Sequence, residues 1–534
     1  MKLCFFLEFL SIHFSFAEYS LYIMYKINVK NILLSHINKI ILEKHLLSKS
    51  TFLRGLQCAK SLYLYKNFIQ LRDKQSAEQT AIFNRGNKVG LLAQKLFPEG
   101  VDATPAKRSN NGEAVLRTRE LIANGAEIIY EAAFQHEQVL AILDILVKRD
   151  NKWYGYEVKS STKISNTYLL DASLQYWVIT NYGLPLADIS LITINNQYVR
   201  NGDLDLHQLF AIKSVKQDAL KNQAMVEENI FQSKLVIANA EQPNIPIGEQ
   251  CFSPYTCDFM GTCWKNVPPD SVFEITGIPK AEQFALYNAG YRTIKEIPKN
   301  NNLGINANTH IISVKNDEEK IDKAAITDFL NTVKYPVLFM DFETFMPAVP
   351  IFDKTKPYQH IPFQYSIHYK KSKDSILEHF YFLAEQGIDP RKSFIENLLK
   401  DTETEGTILV YDTLMEKNIL NGLKKDFPEH TAAIDSRLSR IIDLMLPFQN
   451  KSYYHPAMKN SFSIKNLLHA LVPDLSYANL TISSGSIAMT AFEQLQTETD
   501  MFRIIEIREQ LLEYCKLDTL SMVKIFEKLE EVTA

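Results

Sequence analysis

Cysteine is scarce, six in 534 residues, too few to staple a chain of this size; a disulfide scaffold is excluded and the apolar core must hold the fold. Beyond the first residues, no stretch approaches the roughly 20 apolar residues that a membrane span requires. An excess of charge is missing too. With 58 Lys and Arg against 62 Asp and Glu, the formal net charge is -4, so nothing global announces a polyanionic partner. Locally the balance differs. Between Tyr25 and Gly100 thirteen Lys and Arg, starting at Lys26 and Lys30, face four Asp and Glu; such a surplus suits a phosphate backbone or a solvated basic face equally. The hydrophobic content, 46%, is that of an ordinary globular protein, and the length allows about two to four domains.

The opening segment, MKLCFFLEFLSIHFSFA, imitates a secretory leader, with Lys2, an apolar stretch and a small residue at Ala17. Glu8 and His13 interrupt it. We therefore expect an over-extended start, with translation beginning at Met24 or later, and a soluble cytoplasmic protein with no membrane partner.

The stretch Leu140 to Ser161, LAILDILVKRDNKWYGYEVKSS, has the form of a β-hairpin: an apolar run carrying Asp144, a turn at Asp150 and Asn151, and the alternating strand Trp153 to Lys159. Alternation puts Glu157 and Lys159 on one face and Tyr156 and Val158 on the other. Two carboxylates and a lysine suit metal-assisted phosphodiester cleavage: the acids hold a hard divalent cation, and the lysine orients or deprotonates water. Alone, E-x-K on an amphipathic strand is more often a solvated face. The neighbours are more specific. Glu131 ends the run EIIYE upstream, and Gln175 lies on the helical stretch LLDASLQYWVI downstream. Together these resemble the PD-(D/E)xK nucleases, in particular the RecB-like branch, over about residues 50 to 265. By that resemblance Asp144, Glu157 and Lys159 are catalytic, Glu131 is an accessory acid, and Gln175 packs near the site. Ile179 stands one turn after the glutamine where that branch commonly has Tyr, and Tyr182 follows.

Upstream, Ser50 or Thr51 is expected to cap a helix that carries Cys58, a second helical pattern runs from Ala77 to Phe97, and Leu204 to Ala240 reads as mostly helical. Cys251, Cys257 and Cys263 then recur with five residues between each pair. With no close histidine and no C-x-x-C, the trio departs from the common zinc patterns, and Cys58 is the candidate for a fourth ligand; Cys4 and Cys515 read as unremarkable thiols. One early cysteine and a late trio around such a core are similar to the iron-sulfur nucleases of the RecB-like branch, which implies a 4Fe-4S cluster held by four thiolates, with zinc as the alternative. Such a group would clasp the first helix to the end of the domain, closing a loop of roughly two hundred residues worth on the order of 5 kcal/mol.

Phe273 to Ile297 resembles a helix-hairpin-helix segment, with Gly277 present but Pro279, which has no N–H, at the second glycine position. It reads as a packing or spacer element before a DNA contact. Asn300 to Asn308, NNNLGINAN, reads as a flexible loop.

At Tyr335 the pattern becomes an apolar strand ending in Asp341-Phe342-Glu343, and acids at i and i+2 share a face and can bridge metal ions. Strands near Phe363 and Ile376, a helix from about Pro390 and the strand TILVYD follow. Gln510 to Lys528 is a helix with Tyr514 and Asp518 on one face. These pieces resemble the DEDDy exonucleases, of RNase H-like fold, over about residues 335 to 530. By the resemblance Asp341, Glu343 and Asp518 hold a metal pair, Glu416 supports it, and Tyr514 orients the nucleophile. In the second motif Asp412 stands for the usual Asn and Glu416 for the usual Asp; Asp443 and Ser463-Ile464-Lys465 also match parts of that fold.

The expected architecture is α/β: an N-terminal extension (1–45), a restriction-endonuclease-like RecB-type domain with the cysteines (46–268), a helix-hairpin-helix-like spacer (269–332) and an RNase H-like DEDDy domain (333–534). The order, and the segment starting at Ala348, are similar to a bacterial family that combines these parts. The implied function is a Mg²⁺- or Mn²⁺-dependent nuclease acting on DNA in preference to RNA. The intact D…E-x-K set ranks the first site above the second. The rival is a nucleic-acid-binding scaffold in which one or both sites are inactive.

Overall fold

The computed structural model describes residues 44–534, except positions 108, 276, 299, 300 and 460. The leader-like segment, Cys4 and the Met24 start lie outside the described residues. The chain is mixed α/β, with a seven-stranded and a five-stranded sheet, a two-stranded ladder and many helices. No helix among the described residues is long and apolar enough to cross a membrane.

The seven-stranded sheet runs β2 (Val101–Asp102), β3 (Ile128–His136), β4 (Val139–Arg149), β5 (Lys152–Lys159), β6 (Leu186–Ile194) and β7 (Phe210–Ser214), with β1 (Leu47–Ser48) pairing parallel to β4. The hairpin forms as expected. Asp150 and Asn151 both take positive φ, 50° and 57°, as a two-residue turn that follows strand twist requires. Alternation then separates two cores. Trp153 packs under the helix Asn166–Asn181 with Ala172, Leu174 and Trp177, while Tyr156 and Val158 pack with Val89 and Ala93 of the helix Ala77–Gln94.

Two local expectations are corrected. Ser48 is the N-cap of the helix Lys49–Gln57, and its N–H donates to the Thr51 hydroxyl at 2.7 Å; Thr51 serves as the reciprocal partner inside the first turn. Cys58 is extended and separates that helix from the next, Ala59–Asn67. The Leu204 to Ala240 region is mostly helical, as expected, and also contains β7, which the edge pairing with β6 makes a strand.

Residues 272–297 contain the helix Lys280–Asn288 and form a small core of Val272, Ile275, Ile294 and Ile297 with Ala307 and Ile311. The asparagine-rich loop is shorter than expected: the helix Gly304–Asn316 begins inside it, drawn into order by burial of Ala307 and Ile311. Ile326, on the next helix, Lys323–Thr332, packs into the C-terminal core with Val337 and Phe339.

The five-stranded sheet has the order β11 (Leu377–Leu383), β10 (Ile361–Lys370), β9 (Val337–Phe345), β12 (Thr407–Val410), β13 (Ile441–Asp443). β9 is antiparallel to β10 and parallel to β12. One face, with Leu338, Met340 and Phe342, packs on Phe394 and Ile395 of the helix Arg391–Asp401. The other, with Val337 and Phe339, packs on Met522 and Phe526 of the 33-residue helix Met501–Thr533.

A strap from the C-terminal unit ties the sheets together. Ala348, Val349 and Tyr358 pack into the core behind β5. Arg200 donates to the carbonyls of Pro350 and Ile351, both at 3.0 Å, and the Tyr358 hydroxyl donates to the Ser160 carbonyl.

Candidate functional sites

The carboxylates of the C-terminal unit collect where a sheet runs out of partners. Of β9, β12 pairs with Val337, Leu338 and Phe339, so β9 continues past its end, held on one side by β10, with Ser366 opposite Asp341 and Gln364 opposite Glu343. Both acids have the parity of Val337 and Phe339 and therefore face the long helix. On that helix Phe526, Met522, Asp518 and Tyr514 follow at intervals of four; as Phe526 lies against Phe339, ring centroids 5.6 Å apart, the same stripe delivers Asp518 and Tyr514 to the acids.

Oxygens of Asp341, Glu343 and Asp518 lie within 4.8 Å of one another. They line a cleft of about 360 Å³ with Tyr514, Tyr411, His360 and Met415. Burial, then Asp518, Glu343 and Glu416, push the Asp341 carboxyl well above its ordinary range. Burial and Asp518 do the same to Glu343 against the pull of Lys465. Burial lifts Asp518 to about 6, opposed by the Tyr477 hydroxyl, Lys465 and Tyr514. A set of buried acids that resists shared ionisation is what a divalent cation relieves. The donors are all oxygen, and Oδ2 of Asp518 is buried with no hydrogen-bond partner among the described residues, so the three residues fit a hard cation such as Mg²⁺ or Mn²⁺.

Glu416 enters from the first turn of the helix Thr413–Asp426. It is buried, and burial is the main reason its carboxyl rises to about 8, with Asp412 and Asp443 adding to the rise against its own N–H. It stands outside the close trio. Asp412 caps its helix through the Leu414 N–H, in a left-handed conformation, φ 66°. Asp443 accepts from the N–H groups of Asp412, Thr413 and Met445, so it shapes the turn that carries Glu416. Tyr477 is the residue the sequence did not disclose, while Lys465, matched there only as part of the fold, proves to be its neighbour: Tyr477 donates to Asp518, and the Lys465 ammonium lies over the Tyr477 and Tyr514 rings at 5.0 and 5.7 Å.

In the N-terminal unit the β4–β5 ladder stops at Ile145 and Tyr156, and Asp144 turns its carboxylate onto the Val158 N–H at 2.6 Å. Glu131, φ 53°, interrupts β3 beside it. Burial, with Glu157 and Glu131 adding against Lys49, raises Asp144 to about 8. Glu157 is neutralised. Lys49 reaches Oε1 at 2.6 Å and Lys159 reaches it at 2.7 Å, while Gln175 donates to Oε2 at 2.8 Å. Burial opposes its charge, but the two ammoniums win and hold it well below the carboxylate range.

Sequence reasoning had not included Asp171 or Lys49. Asp171, one turn before Gln175, accepts from Lys159 at 2.5 Å and Gln175 at 3.2 Å; its four-residue spacing from Gln175 was a readable signal. Lys49 opens a helix brought here by the β1–β4 pairing and by burial of Phe52 in the core with Ala172 and Leu174. Tyr182 packs edge-on against Phe134 at 5.4 Å in the core.

Cys58, Cys251, Cys257 and Cys263 line one small cleft, all as free thiols. Burial raises the Cys58 and Cys263 thiols, for Cys58 against the Ser61 and Lys60 N–H groups. The approach is fixed by Arg54, which grips Asp258 at 2.5 and 3.0 Å, and by Gln57, which donates to the Gln250 and Tyr255 carbonyls. Among the described residues only Asp341, Glu343 and Asp518 bring three ligand atoms within 4.8 Å of one another. No three of these sulfurs lie that close, which is wider than a tetrahedral zinc at about 2.3 Å from each sulfur requires; four thiols are a donor set that zinc and iron-sulfur groups share.

Residues 338–463 match a family model described as a domain of unknown function (DUF2779). That span contains Asp341, Glu343, Glu416, Asp443 and the strap, and ends before Lys465, Tyr514 and Asp518. No curated protein matches the sequence.

Proposed function

We propose that the protein is a metal-dependent phosphodiester hydrolase of nucleic acids, DNA in preference to RNA, whose better-formed catalytic centre is the C-terminal cleft. The carrying observation is the Asp341, Glu343 and Asp518 trio, three oxygen ligands within 4.8 Å in an open cleft. The sheet order around it, 3-2-1-4-5 with the first three strands antiparallel, supports the RNase H-like reading, and the hairpin with its crossover helix supports the restriction-endonuclease-like one.

In this reading Asp341, Glu343 and Asp518 hold Mg²⁺ or Mn²⁺, which supplies Lewis acidity to the phosphoryl oxygen and lowers the pKa of water. Tyr477 fixes one oxygen of Asp518 and leaves the other free. Tyr514 faces the same cleft and orients the attacking water through its hydroxyl. Lys465 balances part of the negative charge. At the N-terminal site Asp144 and Glu157 are the metal candidates and Lys159 the water-orienting group. The four thiols hold an iron-sulfur cluster that clasps the ends of the domain.

A scaffold role for the N-terminal unit is favoured by one observation: Lys49, Lys159 and Gln175 occupy both oxygens of Glu157. The test is hydrolysis of labelled single- and double-stranded DNA and RNA with Mg²⁺, Mn²⁺ or EDTA. Metal-dependent cleavage lost in Asp341→Asn supports the proposal; no cleavage of any of the four under any metal ends it.

A further inference from the structure

The acid cleft is one end of a longer trough. His360 and Met415 line it and also line a neighbouring cleft of about 340 Å³. Gln359, Gly422 and Asp426 line that second cleft and a third of about 500 Å³. The third ends at Thr162 and at Tyr358, whose hydroxyl bonds the carbonyl of Ser160, the residue after Lys159. One wall is a single face of the helix Thr413–Asp426, where Met415, Ile419, Gly422 and Asp426 recur at three and four residues; the other is the strap.

We infer that this trough binds single-stranded nucleic acid and leads it between the two candidate sites, a conclusion that rests on the nuclease reading above. Lys354, Lys356 and Lys425 line the far cleft, are exposed, and carry no ion pair among the described residues. They are placed to take phosphates. Of the two acids along the way, Asp426 is bound to Arg391 at 2.7 Å and Asp412 caps the helix. Leu414 and Met415, 67% and 40% exposed, offer apolar surface to unpaired bases at the waist; a duplex keeps its bases stacked inside and has no use for such a surface.

Gly422 is the most telling residue. Glycine inside a helix is unfavourable relative to alanine, and a Cβ there would meet nothing within 4 Å, so neighbouring protein atoms do not require it. It lies where two clefts meet, and a side chain would project into the path.

The test is anisotropy of fluorescein-labelled oligo(dT), alone and annealed to oligo(dA), in EDTA. The parent protein should prefer the single strand. Gly422→Phe should weaken its binding about tenfold by obstruction, and Lys354→Ala/Lys356→Ala/Lys425→Ala should weaken it about tenfold and lower the salt slope by about two, from roughly 0.7 for each phosphate contact. Unchanged melting temperatures confirm folded variants. Binding within twofold of the parent in both variants, or parent preference for the duplex, overturns the trough while metal-dependent cleavage by the parent leaves the nuclease reading standing. Absence of all cleavage with these binding effects intact separates the opposite case.

Discussion

The Tyr477 hydroxyl donates to Oδ1 of Asp518 at 2.6 Å, while Oδ2 of the same carboxylate is buried with no hydrogen-bond partner among the described residues. One oxygen anchored and one free is how an outer partner orients a metal ligand. Tyr477→Phe should therefore weaken Mn²⁺ binding about 10–100-fold, read by calorimetric titration. Affinity equal to that of the parent would make Tyr477 a packing residue only.

The two sites sit in separate units, so their losses should be nearly additive. Asp341→Ala should abolish cleavage at the C-terminal cleft and spare whatever the hairpin site contributes; Lys159→Ala should do the converse. Glu416→Asp shortens the carboxylate that stands outside the trio and supplies the residue usual in the DEDDy enzymes that this unit's sequence resembles. Cleavage rising in Glu416→Asp marks an active centre slowed by geometry. Full activity in Asp341→Ala with complete loss in Lys159→Ala reverses the ranking of the sites.

Lys159 is ion-paired to two buried acids, Glu157 and Asp171. Removing its charge leaves Lys49 to balance both acids, so Lys159→Ala should destabilise the fold by about 1–3 kcal/mol. Urea denaturation measures this, and a change below about 0.5 kcal/mol would be that of a solvated surface lysine.

His310 is buried beside Tyr454, and burial, helped by Lys451, lowers its pKa to about 4. From about pH 6.5 down to about 4 the unfolded chain holds a proton on this histidine that the folded chain does not. Its stabilising contribution is thus complete above about 6.5 and is lost as pH falls toward about 4. Relative to His310→Gln, the parent should lose up to about 1.4 kcal/mol per pH unit across that window. Parallel melting curves at pH 7 and pH 5 for the two proteins would contradict this.

Anaerobically purified protein should be brown and contain about four irons per chain, and Cys58→Ser should lower that content. Stoichiometric zinc without iron would replace the cluster with a zinc site.

How much of this was readable depends on distance along the chain. The hairpin was plain because its turn and its period of two are local, and Asp341, Glu343, Tyr514 and Asp518 were plain because strand and helix parity set their directions. Lys49 was hidden: its pair with Glu157 spans 108 residues and depends on a two-residue strand. The edge strand Phe210–Ser214 was hidden because its partner, rather than its composition, makes it a strand. The helix at Gly304 was masked by asparagines whose turn preference yields to burial of Ala307 and Ile311.

The strap has an evolutionary corollary. Ala348 follows β9 in sequence yet lies among Val89, Tyr156 and Ile192, so the C-terminal half of the molecule completes the interior of the N-terminal half. Gene fission near position 333 would not release two ready-made proteins, since the first would lose a plug and the second would display it to solvent. Selection on either half is thereby inherited by both, and shuffling of the parts must carry the strap's receiving surface along with it.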